Sequence, residues 1–277
     1  MRPLEVVMAM ALAAGTAPAS VSFVLDGTGG VIVPVTVGEL PDLRFLLDTG
    51  STRSVVSEPV AQQLALRAVA RTEMVTTAGV SMAVVAALPP ACLATQCIDD
   101  ALAIVTNNAL DFGSGQLAGI LGGDILGRGD FTIDYKRRRF EWGGGTDERR
   151  HDDRLPMSVE DGRPIVTLPQ AGGRSLRVVA DSGADAFVLF DSELVRSLSR
   201  AMNLNHFTLQ TLGGTSRVQP VTLPALRVGG ATWRDEIATV VLRPAGYPEA
   251  IDGLMPLHRL ASVSFRRTES AIIVRHR

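Results

Sequence analysis

Residues 44–51 read Arg-Phe-Leu-Leu-Asp-Thr-Gly-Ser, and residues 177–184 read Arg-Val-Val-Ala-Asp-Ser-Gly-Ala. Each stretch is a short apolar run that ends in Asp, a hydroxyl residue and Gly, and the second lies 133 positions after the first. Short runs of Val, Ile and Leu that end at Gly and Asp are typical of β-strands followed by tight turns. The chain therefore contains two copies of one strand-and-turn unit.

The repeat extends well beyond these two stretches. Val31-Ile32-Val33 matches Pro164-Ile165-Val166 upstream. Downstream, Ser57-Glu58-Pro59-Val60 matches Asp191-Ser192-Glu193-Leu194, and each stretch is predicted to start a short helix with Ser or Asp as its cap. A repeat this long is a duplicated lobe and not a solenoid unit. The chain is predicted to be all-β and bilobal, with lobes at residues 20–142 and 164–277. The glycine-rich and then densely charged residues 143–163 are predicted to be a solvated linker.

Composition excludes several classes of function. The chain has 27 basic and 29 acidic residues, a balance that favours neither nucleic acid nor an anionic membrane as a partner. Lys136 is the only lysine, so a phosphate-binding Gly-Lys-Ser/Thr loop and a Schiff-base lysine are both unavailable. The four histidines have no metal-ligand spacing. We expect no metal and no cofactor.

The tetrapeptides Asp48-Thr49-Gly50-Ser51 and Asp181-Ser182-Gly183-Ala184 resemble the signature of aspartic peptidases of the pepsin and retropepsin superfamily. This resemblance covers about residues 31–142 and 164–275, and it implies a pepsin-like fold of two closed-barrel-like lobes with a cleft between them. It implies that Asp48 and Asp181 are the catalytic pair. The residues that it makes supports of the two catalytic loops are Thr49, Gly50, Ser51, Ser182, Gly183 and Ala184.

The same resemblance predicts two hydrophobic residues and a glycine that pack behind each catalytic loop. Ile120-Leu121-Gly122 fits this pattern in the first lobe, and Ile251-Asp252-Gly253 fits it less well in the second. In that alignment Asp252 replaces an apolar residue, which would tune the catalytic pair or mark a decayed lobe.

The resemblance also predicts hairpin flaps that close over the cleft. The first flap is expected at Thr76, Thr77, Ala78, Gly79 and Val80. Its repeat mate contains Leu212, Gly213 and Gly214, so the arrangement is closer to the two flaps of retropepsins than to the single flap of pepsins. The alternative is a pair of ordinary surface hairpins that touch no substrate.

The N-terminus indicates export. Arg2, an apolar run and Ala17-Pro18-Ala19 predict a signal peptide over residues 1–19, and hence a periplasmic or secreted protein; a disordered or membrane-anchoring start is the alternative. In an exported chain Cys92 and Cys97 can form a disulfide, and otherwise they are two buried thiols. Residues 20–30 fit a pro-segment, a strand between the lobes or a linker.

These observations predict an aspartic endopeptidase that acts on peptide or protein substrates as a monomer. Two close carboxyl groups cannot both ionise cheaply, so they share one proton and serve together as base and acid toward a water molecule. One alternative is a non-catalytic module that binds peptides or proteins in the same cleft. Another is that each lobe pairs with a lobe of a second chain.

Overall fold

We describe the protein from a computed structural model. The structure describes residues 20–76, 79–107, 110–111, 115–143, 148–202, 207–211 and 214–277, with backbone alone for 207–211 and 214–217. The predicted signal peptide, the first flap's tip at Thr77 and Ala78, and the second flap's Leu212 and Gly213 lie outside these residues. In the described part of the chain no helix has the length and apolar character needed to span a membrane.

The N-terminal lobe is built almost entirely from strands. They are β1 (Ser20–Ser22), β2 (Val24–Leu25), β3 (Val31–Val37), β4 (Leu40–Leu47), β5 (Ser54–Ser57), β6 (Ala68–Thr76), β7 (Gly79–Ala87), β8 (Ala91–Leu93), β9 (Gln96–Ile98), β10 (Leu102–Thr106), β11 (Gly119–Leu121), β12 (Phe131–Asp134) and β13 (Arg139–Trp142). Two short helices interrupt them, namely α1 (Glu58–Gln63) and α2 (Gly123–Leu126).

The C-terminal lobe repeats this pattern with longer hairpins. Its strands are β14 (Asp153–Glu160), β15 (Arg163–Pro169), β16 (Ser175–Asp181), β17 (Phe187–Phe190), β18 (Arg200–Ala201), β19 (Phe207–Thr211), β20 (Gly214–Val228), β21 (Ala231–Val241), β22 (Gly253–Pro256), β23 (Ser262–Arg266) and β24 (Ala271–Arg275). A 3-10 turn covers Ala171–Gly173, and the short helix α3 covers Glu193–Leu198.

Strand pairing makes the two lobes equivalent. In the first lobe β11 runs parallel to β4 and antiparallel to β5, and in the second β22 runs parallel to β16 and antiparallel to β17. The first lobe's strands follow the order β6-β7-β10-β5-β11-β4-β3-β8-β9, and the second lobe's follow β15-β16-β22-β17-β21-β20-β18. The predicted all-β architecture with two pseudo-symmetric lobes is confirmed.

A third group of strands joins the lobes, in the order β1-β13-β12-β23-β24-β14. At its centre β12 of the first lobe pairs antiparallel with β23 of the second. The pseudo-twofold relation is visible there, because the Phe131 ring stacks on Phe265 with centroids 4.5 Å apart and the hydroxyls of Thr132 and Ser264 lie 2.8 Å apart. Aromatic side chains thus hold the lobes together through a shared core.

One boundary differs from the prediction, and one open possibility is answered in part. The segment expected to be a linker contains β14 and the start of β15, because Leu155 and Met157 alternate inward while the charged residues form pairs with the C-terminal strand. Asp152 binds Arg275 at 2.7 Å in one such pair. Of the three possibilities for residues 20–30, Ser20–Ser22 form an edge strand of the interlobe sheet.

Candidate active site

The two Asp-Thr/Ser-Gly loops meet at the bottom of the cleft. Asp48 directly follows β4, and Asp181 is the last residue of β16, so each aspartate lies at the carboxyl end of a buried strand. The strand ends are fixed from behind by parallel pairing with β11 and β22. The repeat therefore brings the two aspartates into one site.

Reciprocal hydrogen bonds lock the two loops to each other. The Thr49 hydroxyl accepts from the Ser182 amide at 3.0 Å, and the Ser182 hydroxyl accepts from the Thr49 amide at 3.1 Å. Each hydroxyl also donates across the interface, Thr49 to the Ala180 carbonyl at 2.6 Å and Ser182 to the Leu47 carbonyl at 2.7 Å. All the partners are buried, so every bond satisfies a group that water cannot reach.

The carboxyl groups of Asp48 and Asp181 are hydrogen-bonded to each other. One oxygen of each carboxyl group receives backbone donors, since the amides of Gly50 and Ser51 lie 2.9 and 3.0 Å from Asp48 Oδ1 and the Gly183 amide lies 2.8 Å from Asp181 Oδ1. A carboxyl pair that is hydrogen-bonded in this way favours a single shared proton over two ionised groups.

Glycine is required after each hydroxyl residue because the two loops touch. A Cβ on Gly50 would lie 2.4 Å from Asp181 Oδ2, and a Cβ on Gly183 would lie 2.7 Å from Asp48 Cγ. Any side chain at either position would push the opposite carboxyl group away. Each glycine thus sets the distance between the loops.

Burial dominates the electrostatics of the pair. It raises the pKa of Asp48, while the hydrogen bond to Asp181, the amides of Ser51 and Gly50 and the charge of Arg163 act in the opposite direction. It raises the pKa of Asp181 well above the ordinary value, and the charge of Asp48 raises it further. Burial and the proximity of the two carboxyl groups therefore oppose the simultaneous ionisation of both aspartates.

The residues behind the loops require one correction. Ile120 and Leu121 lie behind the first loop as expected and are buried. In the second lobe, however, Gly253 pairs with Val178 as Gly119 pairs with Phe45, so Gly253 corresponds to Gly119. The residues that match Ile120, Leu121 and Gly122 are thus Leu254, Met255 and Pro256.

The same register moves Asp252 out of the apolar layer. The Asp252 amide donates to the Arg177 carbonyl at 2.7 Å, and the Ala118 amide donates to the Arg44 carbonyl at 2.8 Å, so Asp252 occupies the position of Ala118. Its carboxylate is paired, because Oδ2 accepts from the Arg177 amide at 2.8 Å. The interpretation of Asp252 as a defect behind the second loop was wrong: the alignment was displaced by three residues, because Gly253 was matched with Gly122 although it corresponds to Gly119.

The cleft has a volume of about 860 Å³ and is lined by both lobes. From the first lobe, residues 72–76 at the end of β6 face the cleft, and Thr76 among the predicted flap residues is one of them. Thr76 pairs with Gly79 at the start of β7, which forms the predicted hairpin, whereas Val80 is exposed. In the second lobe Thr211 pairs with Gly214 in the corresponding hairpin.

The first hairpin reaches the opposite lobe. Val75 packs against a second-lobe apolar cluster that includes Val188, Phe190 and Tyr247. Its Cγ2 is 3.6 Å from where a Cβ on Gly246 would lie. The hairpin therefore reaches across the cleft that the two aspartates line.

Two cleft residues were missed by the sequence analysis. Arg163 and Tyr247 both line the cleft, and the Arg163 guanidinium lies over the Tyr247 ring, 5.1 Å from its centroid. Arg163 was assigned to the linker. The signal that reveals it is the extension of the repeat toward the N-terminus, which aligns Asp161-Gly162-Arg163 with Thr28-Gly29-Gly30.

Cys92 and Cys97 are joined in a disulfide across the hairpin of β8 and β9, away from the cleft. Among the residues that the structure describes, no group of three or more His, Cys, Asp or Glu side chains could hold a metal ion. Acid–base chemistry by the aspartates is what the described cleft residues can supply.

A comparison with protein families agrees with this site. A family model described as aspartyl protease matches residues 33–125 and 167–255, one match in each lobe. The two matches contain the Asp48 and Asp181 loops respectively and cover well over half of the chain. The chain therefore belongs to the aspartyl protease family and is of the two-lobed, retropepsin-like type. A search of curated proteins gave no match.

Proposed function

We propose that the protein is an aspartic endopeptidase in which Asp48 and Asp181 activate a water molecule for attack on a peptide bond. The observation that carries this proposal is the hydrogen-bonded carboxyl pair at the bottom of a cleft that both lobes line. The ionised aspartate removes a proton from water as the water oxygen bonds to the carbonyl carbon. The protonated aspartate gives its proton to the carbonyl oxygen, so the pair ends the step with one proton, as it began.

The shape of the cleft suggests how a substrate would bind. An extended peptide under the first hairpin would meet backbone groups of β6 on one side and apolar side chains on the other. Leu46, Val55, Ile104 and Ile120 line the first lobe's half, and Val188 and Leu254 line the second. These side chains favour hydrophobic residues on both sides of the cleaved bond.

The alternative of a non-catalytic binding module had one support in the sequence, the presumed defect at Asp252. The strand register removes that support, since Asp252 corresponds to Ala118 and lies outside the apolar layer. Both catalytic loops have their hydroxyl, glycine and amide donors in equivalent places.

The test is cleavage of a denatured mixed-protein substrate between about pH 3 and pH 8, the range in which carboxyl groups serve as acid and base. Asp48→Asn and Asp181→Asn should each lower the rate by at least about 1000-fold, because the pair acts as a unit. Asp100→Asn is the matched control, since Asp100 is an exposed partner of Arg128. A wild-type chain that cleaves nothing would leave peptide binding as the function.

We further propose that the protein is exported and works as a monomer. The disulfide between Cys92 and Cys97 supports an oxidising compartment, and one chain supplies both aspartates. Expression with the native N-terminus followed by cell fractionation tests the first part. Recovery of the protein in the cytoplasm with residues 1–19 intact would contradict it.

A further inference from the structure

Arg163 is a cation beside the aspartates that only one lobe possesses. It begins β15, after the turn at Asp161 and Gly162. In the first lobe Val31 pairs with Leu47, and in the second lobe the same register places Pro164 opposite Ala180. Val31 and Pro164 are therefore equivalent, and so are the residues that precede them, Gly30 and Arg163. The chain is symmetric at the catalytic loops and asymmetric here.

The Arg163 side chain is held in place from two sides. Its Nε donates to the Gly50 carbonyl at 3.1 Å, so it crosses from the second lobe to the catalytic loop of the first. Its guanidinium lies over the Tyr247 ring, which itself packs on Phe190 with centroids 4.7 Å apart. The Arg243 guanidinium covers the Phe190 ring at 4.8 Å. Because these contacts already restrict the Arg163 side chain, it loses little further conformational entropy when a substrate binds.

Through Gly50, Arg163 is connected to one aspartate. The Gly50 carbonyl accepts from Arg163 while the Gly50 amide donates to Asp48 Oδ1 at 2.9 Å. No carboxylate among the described residues forms an ion pair with Arg163, so its charge is not neutralised by a direct partner.

The surroundings of the two aspartates therefore differ in charge. Arg163 acts to lower the pKa of Asp48, whereas the pKa of Asp181 is raised by burial and by Asp48. Burial raises the pKa of Tyr247, and the charges of both aspartates raise it further against the opposing charge of Arg163. Burial and then the charge of Asp181 raise the pKa of Tyr135. The second arginine of the cleft is Arg53, near Asp124. The other acidic residues that line the cleft are Asp26, Glu73, Asp111, Asp124, Asp161 and Asp185.

We propose that Arg163 is a positioning residue that makes the two aspartates inequivalent, holding the Asp48 loop and keeping Asp48 ionised while the shared proton stays on Asp181. In the reaction proposed above, on which this inference rests, Asp48 is then the base that takes the proton from water and Asp181 is the acid that protonates the carbonyl oxygen. The tyrosine stack sets the position of the guanidinium, and no residue of the first lobe supplies a counterpart at Gly30.

The experiment follows the carboxyl ¹³C signals of Asp48 and Asp181 in an NMR pH titration, with Asp48→Asn and Asp181→Asn used for assignment. In the wild type the Asp48 signal should report the ionised form at pH values where Asp181 is still protonated. In Arg163→Gln the Asp48 transition should move upward by about one pH unit, the effect of removing a nearby opposite charge. Arg163→Lys keeps the charge and should restore at least half of the difference.

Activity provides the second readout. The acidic limb of the kcat/KM profile of Arg163→Gln should move upward by a similar amount, because the base is lost to protonation at a higher pH. Arg196→Gln is the control, since Arg196 is an exposed partner of Asp191 in the same lobe. Tyr247→Leu removes the ring under the guanidinium and should produce a shift in the same direction, so the inference stays testable if Arg163→Gln does not fold.

The outcomes separate this inference from the proposed function. If the wild type cleaves substrate and Arg163→Gln leaves both the titration and the acidic limb unchanged, the inference is wrong and the peptidase stands. If the wild type cleaves nothing, the peptidase proposal fails, and the NMR titration still decides whether Arg163 sets the order of ionisation. A proton that resides on Asp48 in the wild type overturns the inference in either case.

Discussion

The two lobes are nearly identical where they bind each other and different in what surrounds their catalytic loops. Thr49 and Ser182 exchange the same hydrogen bonds, whereas Ser54 and Asp124 of the first lobe are replaced by Phe187 and His258 in the second. Asp124 Oδ1 accepts from the Ser54 amide at 2.9 Å and from its hydroxyl at 2.7 Å, a polar network that the second lobe lacks.

This difference shows which parts of a duplicated site are free to diverge. The groups on the pseudo-twofold axis must complement each other, so a change in one copy requires a change in the other. The groups outside the axis contact one loop only and can differ between lobes. Arg163 and Gly30 are an equivalent pair that has diverged, and Arg163 contacts the loop that carries Asp48.

The largest effect on stability is expected at the glycines behind the loops. A Cβ on Gly119 would lie 2.3 Å from the Val55 carbonyl oxygen, and one on Gly253 would lie 2.1 Å from the equivalent oxygen of Val188. Gly119→Ala and Gly253→Ala should each lower the free energy of unfolding by about 3 kcal/mol, measured by urea denaturation. Gly27→Ala, where the added Cβ meets open space, is the control. A Gly253→Ala variant as stable as this control would show that the two glycines are not equivalent.

Removing either hydroxyl that joins the two loops should lower the free energy of unfolding somewhat less, and by the same amount in both lobes. Thr49→Ala leaves the buried Ser182 amide without its acceptor, and Ser182→Ala does the same to the Thr49 amide. Each should lower the free energy of unfolding by about 2 kcal/mol, and Thr49→Ser should restore most of the loss. A clear inequality between the two alanine variants would show that the lock is not symmetric.

Replacing a buried carboxyl group whose charged form folding disfavours should stabilise the protein at neutral pH. Since the folded pKa of Asp181 is raised, its contribution to stability is complete below the unfolded pKa near 3.8 and is lost as the pH rises through the folded pKa. Asp181→Asn keeps the acceptor for the Gly183 amide and should raise the free energy of unfolding by about 1–2 kcal/mol at pH 7. Little change is expected at pH 3, so a pH-independent gain in melting temperature would argue against this explanation.

The smallest expected effect on stability is a difference between the short helices that follow the two loops. The Ser192 hydroxyl accepts from the Val195 amide at the start of α3, at 3.1 Å, whereas Ser57 makes no such bond at the start of α1. Ser192→Ala should therefore cost about 1 kcal/mol and Ser57→Ala only a few tenths. Thermal unfolding of the two variants, each compared with the wild type, tests the contrast, and equal losses would contradict it.

Local pattern was sufficient for the parts of the fold that repeat. The strands around Asp48 and Asp181 follow from short apolar runs and turn residues at matching positions, whereas the two hairpins and the contact between the loops were predicted from the family resemblance. The register behind the second loop could not be read from the sequence, because Gly253 supplies the glycine of the pattern at the wrong position, while the true apolar pair, Leu254-Met255, is followed by Pro256. Only pairing with β16 decides between them.

Arg163 and β14 escaped the sequence analysis for a related reason. The charges around β14 are typical of a solvated linker, and their partners, Arg275 and His276, are more than 120 residues away. Long-range ion pairs leave no local pattern. The side chain of Arg163 reaches the first lobe only because the hairpin of β14 and β15 lies between the lobes.

The most direct test of the central claim mixes two inactive chains. Cleavage of a denatured protein substrate is measured for the wild type, for Asp48→Asn, for Asp181→Asn and for an equimolar mixture of the two variants. If one chain forms the whole site, the wild type is active and each variant and the mixture remain at least about 1000-fold slower. If either single variant cleaved as fast as the wild type, or if activity returned on mixing, a catalytic pair formed by Asp48 and Asp181 of one chain would be contradicted.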